Sequence, residues 1–255
     1  MVVSMPRNIG DISLGSAERP TVESHSICNV GCCEGKFLIL NHFSVVVRVW
    51  SVSLVACAAI VAFAFMRVDM PVALHFWNLD HLRSPLNTAF GSTVILSVES
   101  AVILFTVFAR LLRGHISVVG ETLAVACLVS MCAYVVNDHI VKVFFGVPNP
   151  ADVMQGAGHS FNLWMGSESS SFPSGHMVLA GAFAGLFMRL YKASIWLFSA
   201  LLLIAAGLLL VGDWHFLSDI IAGAFLGTSA GILAGEGWAA HSARWLKERG
   251  ERTQN

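Results

Sequence analysis

Charge is what this chain most lacks. Only 12% of its 255 residues are Asp, Glu, Lys or Arg, against 56% hydrophobic residues. A soluble domain carries about 25% charged residues, so this surface cannot mostly face water. A basic excess is also missing: the net charge is −1, which argues against nucleic acid as a partner, because binding to phosphate backbones needs surplus Lys and Arg. Cysteine supplies no disulfide framework. Cys57, Cys127 and Cys132 fall in apolar runs and are expected to pack as small hydrophobes. Cys28, Cys32 and Cys33, with His25 nearby, fit no zinc spacing and read as free thiols in a polar tail. Internal repeats and low-complexity tracts are absent.

What is present is a series of long apolar runs. A bilayer core of about 30 Å needs roughly 20 helical residues, and six segments qualify as candidates: 45–66, 88–111, 117–136, 177–190, 194–212 and 217–235. The fourth is short and is expected to extend toward Lys192. The expected fold is an all-α integral membrane protein, a bundle of six transmembrane helices. Its expected divisions are a flexible tail over 1–43, a membrane domain over 44–236 with its motifs at about 138–225, and a basic tail over 237–255. One long connection, about 143–173, separates the third and fourth spans, and long loops of this kind are commonly functional.

The few cations orient the bundle. Arg7, Arg19, Lys36, Arg48, Arg110, Arg113, Arg189, Lys192, Arg244, Lys247, Arg249 and Arg252 share one side of a six-span arrangement; Arg67, Arg83 and Lys142 fall on the other. The positive-inside rule places the larger set in the cytoplasm. Both termini are then cytoplasmic, and the expected location is a bacterial inner membrane. Lys142, His176, His215 and Asp219 all land at the outer face.

Ionisable side chains among apolar helices are costly and mark function. Pro173-Ser174-Gly175-His176 opens the fourth helix. Ser174 is a good N-cap, Gly175 permits close backbone approach, and a helix start offers unpaired N–H groups to an anion. His176 is placed to protonate a leaving oxygen. His215 and Asp219 are four apart, the spacing of one helical face, so the carboxylate can fix the imidazole tautomer and leave the other nitrogen as a nucleophile. Lys142 supplies positive charge for phosphate oxygens. Each piece alone has a plainer reading: a capped helix start, an interfacial histidine, a snorkelling lysine. Glu99 lies mid-span and is expected to be protonated or bonded to a neighbouring helix.

Together the three pieces resemble the type 2 phosphatidic acid phosphatase family, which includes the vanadium haloperoxidases. That family's pattern is Lys, six residues, Arg-Pro; then Pro-Ser-Gly-His; then Ser-Arg, five residues, His, three residues, Asp. Lys142, Pro150, the whole 173–176 block, His215 and Asp219 match. Asn149 stands where the first Arg is usual, Leu208 and Leu209 replace Ser-Arg, and Asp213 occupies the position of a usual glycine. The chain therefore resembles a divergent member that lacks both motif arginines. Arg83, or else Arg67 or His159, is the expected source of replacement charge.

The resemblance implies a metal-independent hydrolase with no cofactor and a phosphorylated lipid as substrate. His215 would form a phosphohistidine, Asp219 would orient it, and His176 would protonate the leaving group. Lys142, Ser174, Gly175 and Asn149 would bind phosphate oxygens. Two alternatives remain: a phosphotransferase that passes phosphate or headgroup to a lipid alcohol, and a non-catalytic descendant that binds or transports lipid.

Overall fold

The computed structural model describes residues 30–77, 91–114 and 116–252, with side chains within 47–241. The chain divides into two compact units, Met1–Trp50 and Ser51–Asn255. In the first, residues 30–50 are described and are helical, so the helix already occupies part of the stretch read as a tail. Cys28 and Arg83 lie outside the described residues, as do the side chains of Cys32 and Cys33.

All regular structure among the described residues is helical. In chain order the helices are α1 (Val30–Arg67), α2 (Asp69–Phe76), α3 (Ser92–Arg113), α4 (Val118–Val136), α5 (Lys142–Phe145), α6 (Pro150–Met154), α7 (Gly175–Leu190), α8 (Ile195–Val211) and α9 (Leu217–Arg252). A π-helical turn, Asn137–Val141, joins α4 to α5. The helix ends have legible causes. Ser117 Oγ accepts the Gly120 N–H at the start of α4, and Gly114 (φ +71°) closes α3 in the left-handed conformation that glycine adopts without penalty.

Five described segments are long and apolar enough to cross a membrane: Val47–Arg67, Ser92–Arg113, Val118–Met154, Lys192–Val211 and Leu217–His241. These answer five of the six expected spans. The remaining one, α7, has 16 residues, or about 24 Å at 1.5 Å per residue. It does not extend toward Lys192: it stops at Leu190, Tyr191 leaves helical geometry, and a 3₁₀ turn over Lys192–Ser194 follows.

Small residues pack α7 against α9. Gly223, Gly227, Gly231 and Gly235 recur every fourth position of α9 and form one stripe along it. A Cβ on Gly227 would collide with the Val178 carbonyl oxygen, and one on Gly231 with that of Ala182. From the other side, a Cβ on Gly185 would lie 2.5 Å from the Thr228 carbonyl oxygen. Lipid tails are as apolar as leucine, so helices in a bilayer associate through such close backbone packing. Polar links add to it. Ser130 Oγ lies 2.8 Å from Glu99 Oε1 and 3.0 Å from the Leu179 carbonyl oxygen, tying α3, α4 and α7 together. Arg189 forms a two-pronged ion pair with Glu236, Nη2 to Oε2 being 2.6 Å. The Glu99 bond to a neighbouring helix matches the sequence expectation.

The long connection is packed rather than open. Phe161 stacks on Phe65 and meets Phe145 and Phe172 edge-on. Backbone bonds from Asn162, Trp164 and Gly166 return to Phe145, Phe144 and Val143.

Candidate active site

Lys142 begins α5 directly after the π turn. The extra residue of a π turn shifts helical register, and such turns gather at functional sites. Asn137 and Asp138 on this turn, with Lys142 after it, face the 173–176 segment. Asn137 Nδ2 donates to the Pro173 carbonyl at 3.1 Å. Lys142 is buried rather than snorkelling; its Nζ lies 2.7 Å from Asp138 Oδ1 and donates to the Glu168 carbonyl at 3.3 Å.

Ser174 is the N-cap of α7, its Oγ accepting the Met177 N–H at 3.4 Å. Its own N–H donates to the Asp219 carbonyl at 3.1 Å. A Cβ on Gly223 would sit 2.5 Å from the Ser174 carbonyl oxygen, so the start of α7 is docked on the first turns of α9. Gly175 admits the Tyr134 ring and the Asp138 carboxylate, which a Cβ there would meet at 2.9 and 3.3 Å.

His215 does not ride on a helical face with Asp219, because α9 begins at Leu217. His215 precedes the helix, and Asp219 Oδ2 turns back to accept the Phe216 N–H at 2.8 Å. This satisfies one of the donors that every helix start leaves unpaired. The distance from His215 Nδ1 to Asp219 Oδ2 is 3.7 Å, longer than a hydrogen bond. The opposite ring nitrogen, Nε2, lies 3.4 Å from His176 Nδ1. The Trp214 indole stacks on the His176 ring (centroids 5.6 Å, 12° between planes), and Gly212 leaves room for that indole.

These groups line a cavity of about 320 Å³ whose walls include Lys142, Asn149, Ser169, Ser170, Ser171, His176, Asp213, Trp214 and His215. Burial, with the Lys142 charge adding to it, pushes the His215 imidazole down to about 3. The ring is therefore neutral at ordinary pH and keeps a lone pair for attack. A neutral imidazole nitrogen, a second imidazole against it and an ammonium group on the same wall can hold an oxyanion, attack it and return a proton to a leaving group.

Of the expected phosphate ligands, Lys142 and Asn149 line this cavity, while Ser174 and Gly175 do not. Asn149 spends its groups locally: Oδ1 accepts the Asp152 N–H at 3.0 Å and Nδ2 donates to Asp152 Oδ2 at 2.7 Å, capping α6. Leu209, at the position of the second missing arginine, is buried in an apolar cluster with Met177 and Ile220. Arg67 is exposed and forms no part of the cavity wall. His159 is likewise absent from it; it lies half-buried beside Asp69. Asp213 holds φ +50°, a left-handed conformation that glycine adopts freely and Asp tolerates. That geometry accounts for glycine being usual there.

Asp138, one turn before Lys142 in the sequence, is legible there as a group that can tune the lysine charge, and it pairs with it; the π turn, the Trp214 stack and the places of Ser169, Ser170 and Ser171 are not legible. The Ser-rich run 167–171 was the available signal, since polar residues crowded beside an apolar span need partners or a ligand.

No curated protein and no solved structure matches the chain. A family model does: the PAP2 superfamily, over residues 121–241. That stretch contains Lys142, the 173–176 block, His215 and Asp219. PAP2 proteins have a helical membrane fold and phosphatase-type activity on phosphorylated substrates. Across residues 121–241, then, this chain is similar to the PAP2 superfamily.

Proposed function

We propose that the protein is a membrane lipid phosphate phosphohydrolase. His215 Nε2 attacks phosphorus, the bond from phosphorus to the leaving oxygen breaks, and His176, which takes up a proton as the anionic phosphate enters beside it, gives that proton to the leaving oxygen. Water then cleaves the phosphohistidine, with His176 taking a proton back. Asp219 orients His215, and Lys142 draws the phosphate oxygens. One observation carries the reading: His176 Nδ1 and His215 Nε2 stand 3.4 Å apart on the wall of a cavity that Lys142 also lines.

A lipid is favoured over a soluble phosphate by a second, apolar groove of about 520 Å³, walled by Leu128, Cys132, Val136, Val141, Val178 and Leu226. From position 128 to 141 the helix rises about 20 Å, somewhat more than one leaflet of a roughly 30 Å hydrocarbon core. Its upper end, Val141, adjoins Lys142. With six spans and the larger set of cations in the cytoplasm, the cavity opens on the outer side of the membrane.

The test is phosphate release from a panel of lipid phosphates in detergent, with chelator present, comparing wild type with His215→Ala. Release by wild type alone supports the reading; equal background in both ends it. The replacement of two motif arginines by Asn149 and Leu209 favours one second reading, transfer of the phosphoryl or headgroup to a lipid alcohol. A phospholipid product that appears only when an acceptor lipid is added would identify it.

A further inference from the structure

A second imidazole and carboxylate lie behind the His215–Asp219 pair. Asp69, at the start of α2, has no solvent exposure. Its Oδ1 accepts the Ser218 N–H at 3.0 Å and its Oδ2 accepts the Ser218 O–H at 2.5 Å. His159, from the long connection, holds Nε2 3.7 Å from Asp69 Oδ2. That nitrogen is buried and has no hydrogen-bond partner among the described residues. The ring is clamped between Phe65 and Phe216, at centroid distances of 4.1 and 4.4 Å.

The contacts fall in a pattern. Residues 216 and 218 are gripped from outside, by His159 and Asp69. Residues 215 and 219, on the same turn, are the nucleophile and the acid that orients it. The Phe216 N–H is also the donor that sets Asp219 Oδ2 in place. Two buried carboxylates at one helix start repel each other, and an imidazole facing both offsets that repulsion when it carries the proton. Burial pushes the His159 imidazole down from its ordinary value, while Asp69 and Asp219 both act to raise it. Buried ion pairs are commonly no more stabilising than apolar residues of the same volume. Packing alone therefore gives no reason for Asp69 and His159 to stand here.

We propose that Asp69 and His159 are positioning residues for His215, acting through Ser218 and Phe216 to hold the 215–219 turn so that His215 Nδ1 faces Asp219 and Nε2 faces the cavity. The inference rests on reading His215 as the nucleophile, and its test is separable from that reading.

The test uses full-length protein labelled with carbon-13 in its histidines, in detergent, with the His215 signals assigned by their loss in His215→Ala. Ring-carbon shifts report the tautomer. Wild type is expected to show one dominant His215 tautomer. His159→Phe, which keeps the stacking and removes the nitrogens, is expected to show a mixture, and Asp69→Asn the same. Ser218→Ala, the mildest change, serves if either of these fails to fold. His159→Gln, which restores a polar group, is expected to recover part of the single-tautomer signal. In turnover, kcat falls about tenfold, the scale of one charged hydrogen bond, while KM stays within about twofold. Unchanged His215 signals in the folded variants overturn the inference. If wild type releases no phosphate from any lipid, the hydrolase reading fails, and the tautomer comparison still decides this one.

Discussion

Among the described residues, two imidazole–carboxylate pairs with a fully buried carboxylate share one separation. His215 Nδ1 and Asp219 Oδ2 are 3.7 Å apart, as are His159 Nε2 and Asp69 Oδ2. What differs is the surroundings. The first pair turns its outer nitrogen toward His176 in a cavity lined by Lys142 and serines. The second lies between two phenylalanine rings, away from that cavity, and its carboxylate is occupied by Ser218. On the functions proposed above, the same two groups serve chemistry in one place and support in the other, and access to a ligand, rather than the pair itself, makes the difference.

The largest expected effects fall on what carries the pairs. Gly227→Val would force the Val178 carbonyl away from α9, separating the helix of Asp219 from the helix of His176. The expected outcome is loss of a monodisperse, cooperatively melting protein in detergent, read by size exclusion and thermal unfolding. A normal profile would show that the glycine stripe is dispensable.

At the open pair, His215→Ala is expected to reduce phosphate release by at least about a thousandfold. At the His159–Asp69 pair, His159→Phe costs only about tenfold. If the two variants fall equally, the distinction between them collapses. His176→Ala should lose about 10²–10⁴-fold on a lipid alkoxide leaving group. It should lose much less on an activated aryl phosphate, whose leaving group needs no proton. A uniform loss on both substrates would deny His176 the role of acid.

A smaller effect concerns acid stability. The His215 imidazole is held down at about 3, whereas the unfolded chain titrates it near its ordinary value of about 6.5. Between those values the unfolded state binds more protons, so stability falls as pH drops through that window. Melting temperature in detergent should therefore decline more steeply below about pH 6.5 in wild type than in His215→Ala. Parallel curves would place His215 in a wetter setting than the structure does. The smallest effect is expected from Asp213→Gly. At φ +50° the change relieves about 1 kcal/mol of left-handed strain, offset in part by the greater chain entropy of glycine. Stability should move by less than about 1 kcal/mol in either direction, read from the melting curve.

Much of this was legible in the chain. The apolar runs fall on five helices able to cross a bilayer, although α1 begins and α9 ends well outside them, because hydropathy and length alone decide what can cross. Ser174 reads as an N-cap and is one. Other features had no such sign. His215 and Asp219 look like one helical face, yet the Asp219 side chain bonds the Phe216 N–H and the helix starts after His215. Asn149 looks like a ligand, yet it is taken up in capping α6. Short-range competition for hydrogen bonds decided both, and spacing does not reveal which partner wins. The glycines of α9 were in plain view at every fourth position, but their meaning depends on a second helix arriving.

Sequence by itself determined that this protein is helical and belongs in a membrane, and which few polar side chains have to be accounted for there. Both follow from the cost of moving charge and bare backbone out of water. Tertiary structure alone decided that residues 39 positions apart bring two imidazole nitrogens within 3.4 Å, and that Asp69 reaches Ser218 across 149. Those meetings depend on how closely α7 and α9 can approach and on how the long connection folds back. Both are settled by packing between distant segments, which no local pattern encodes.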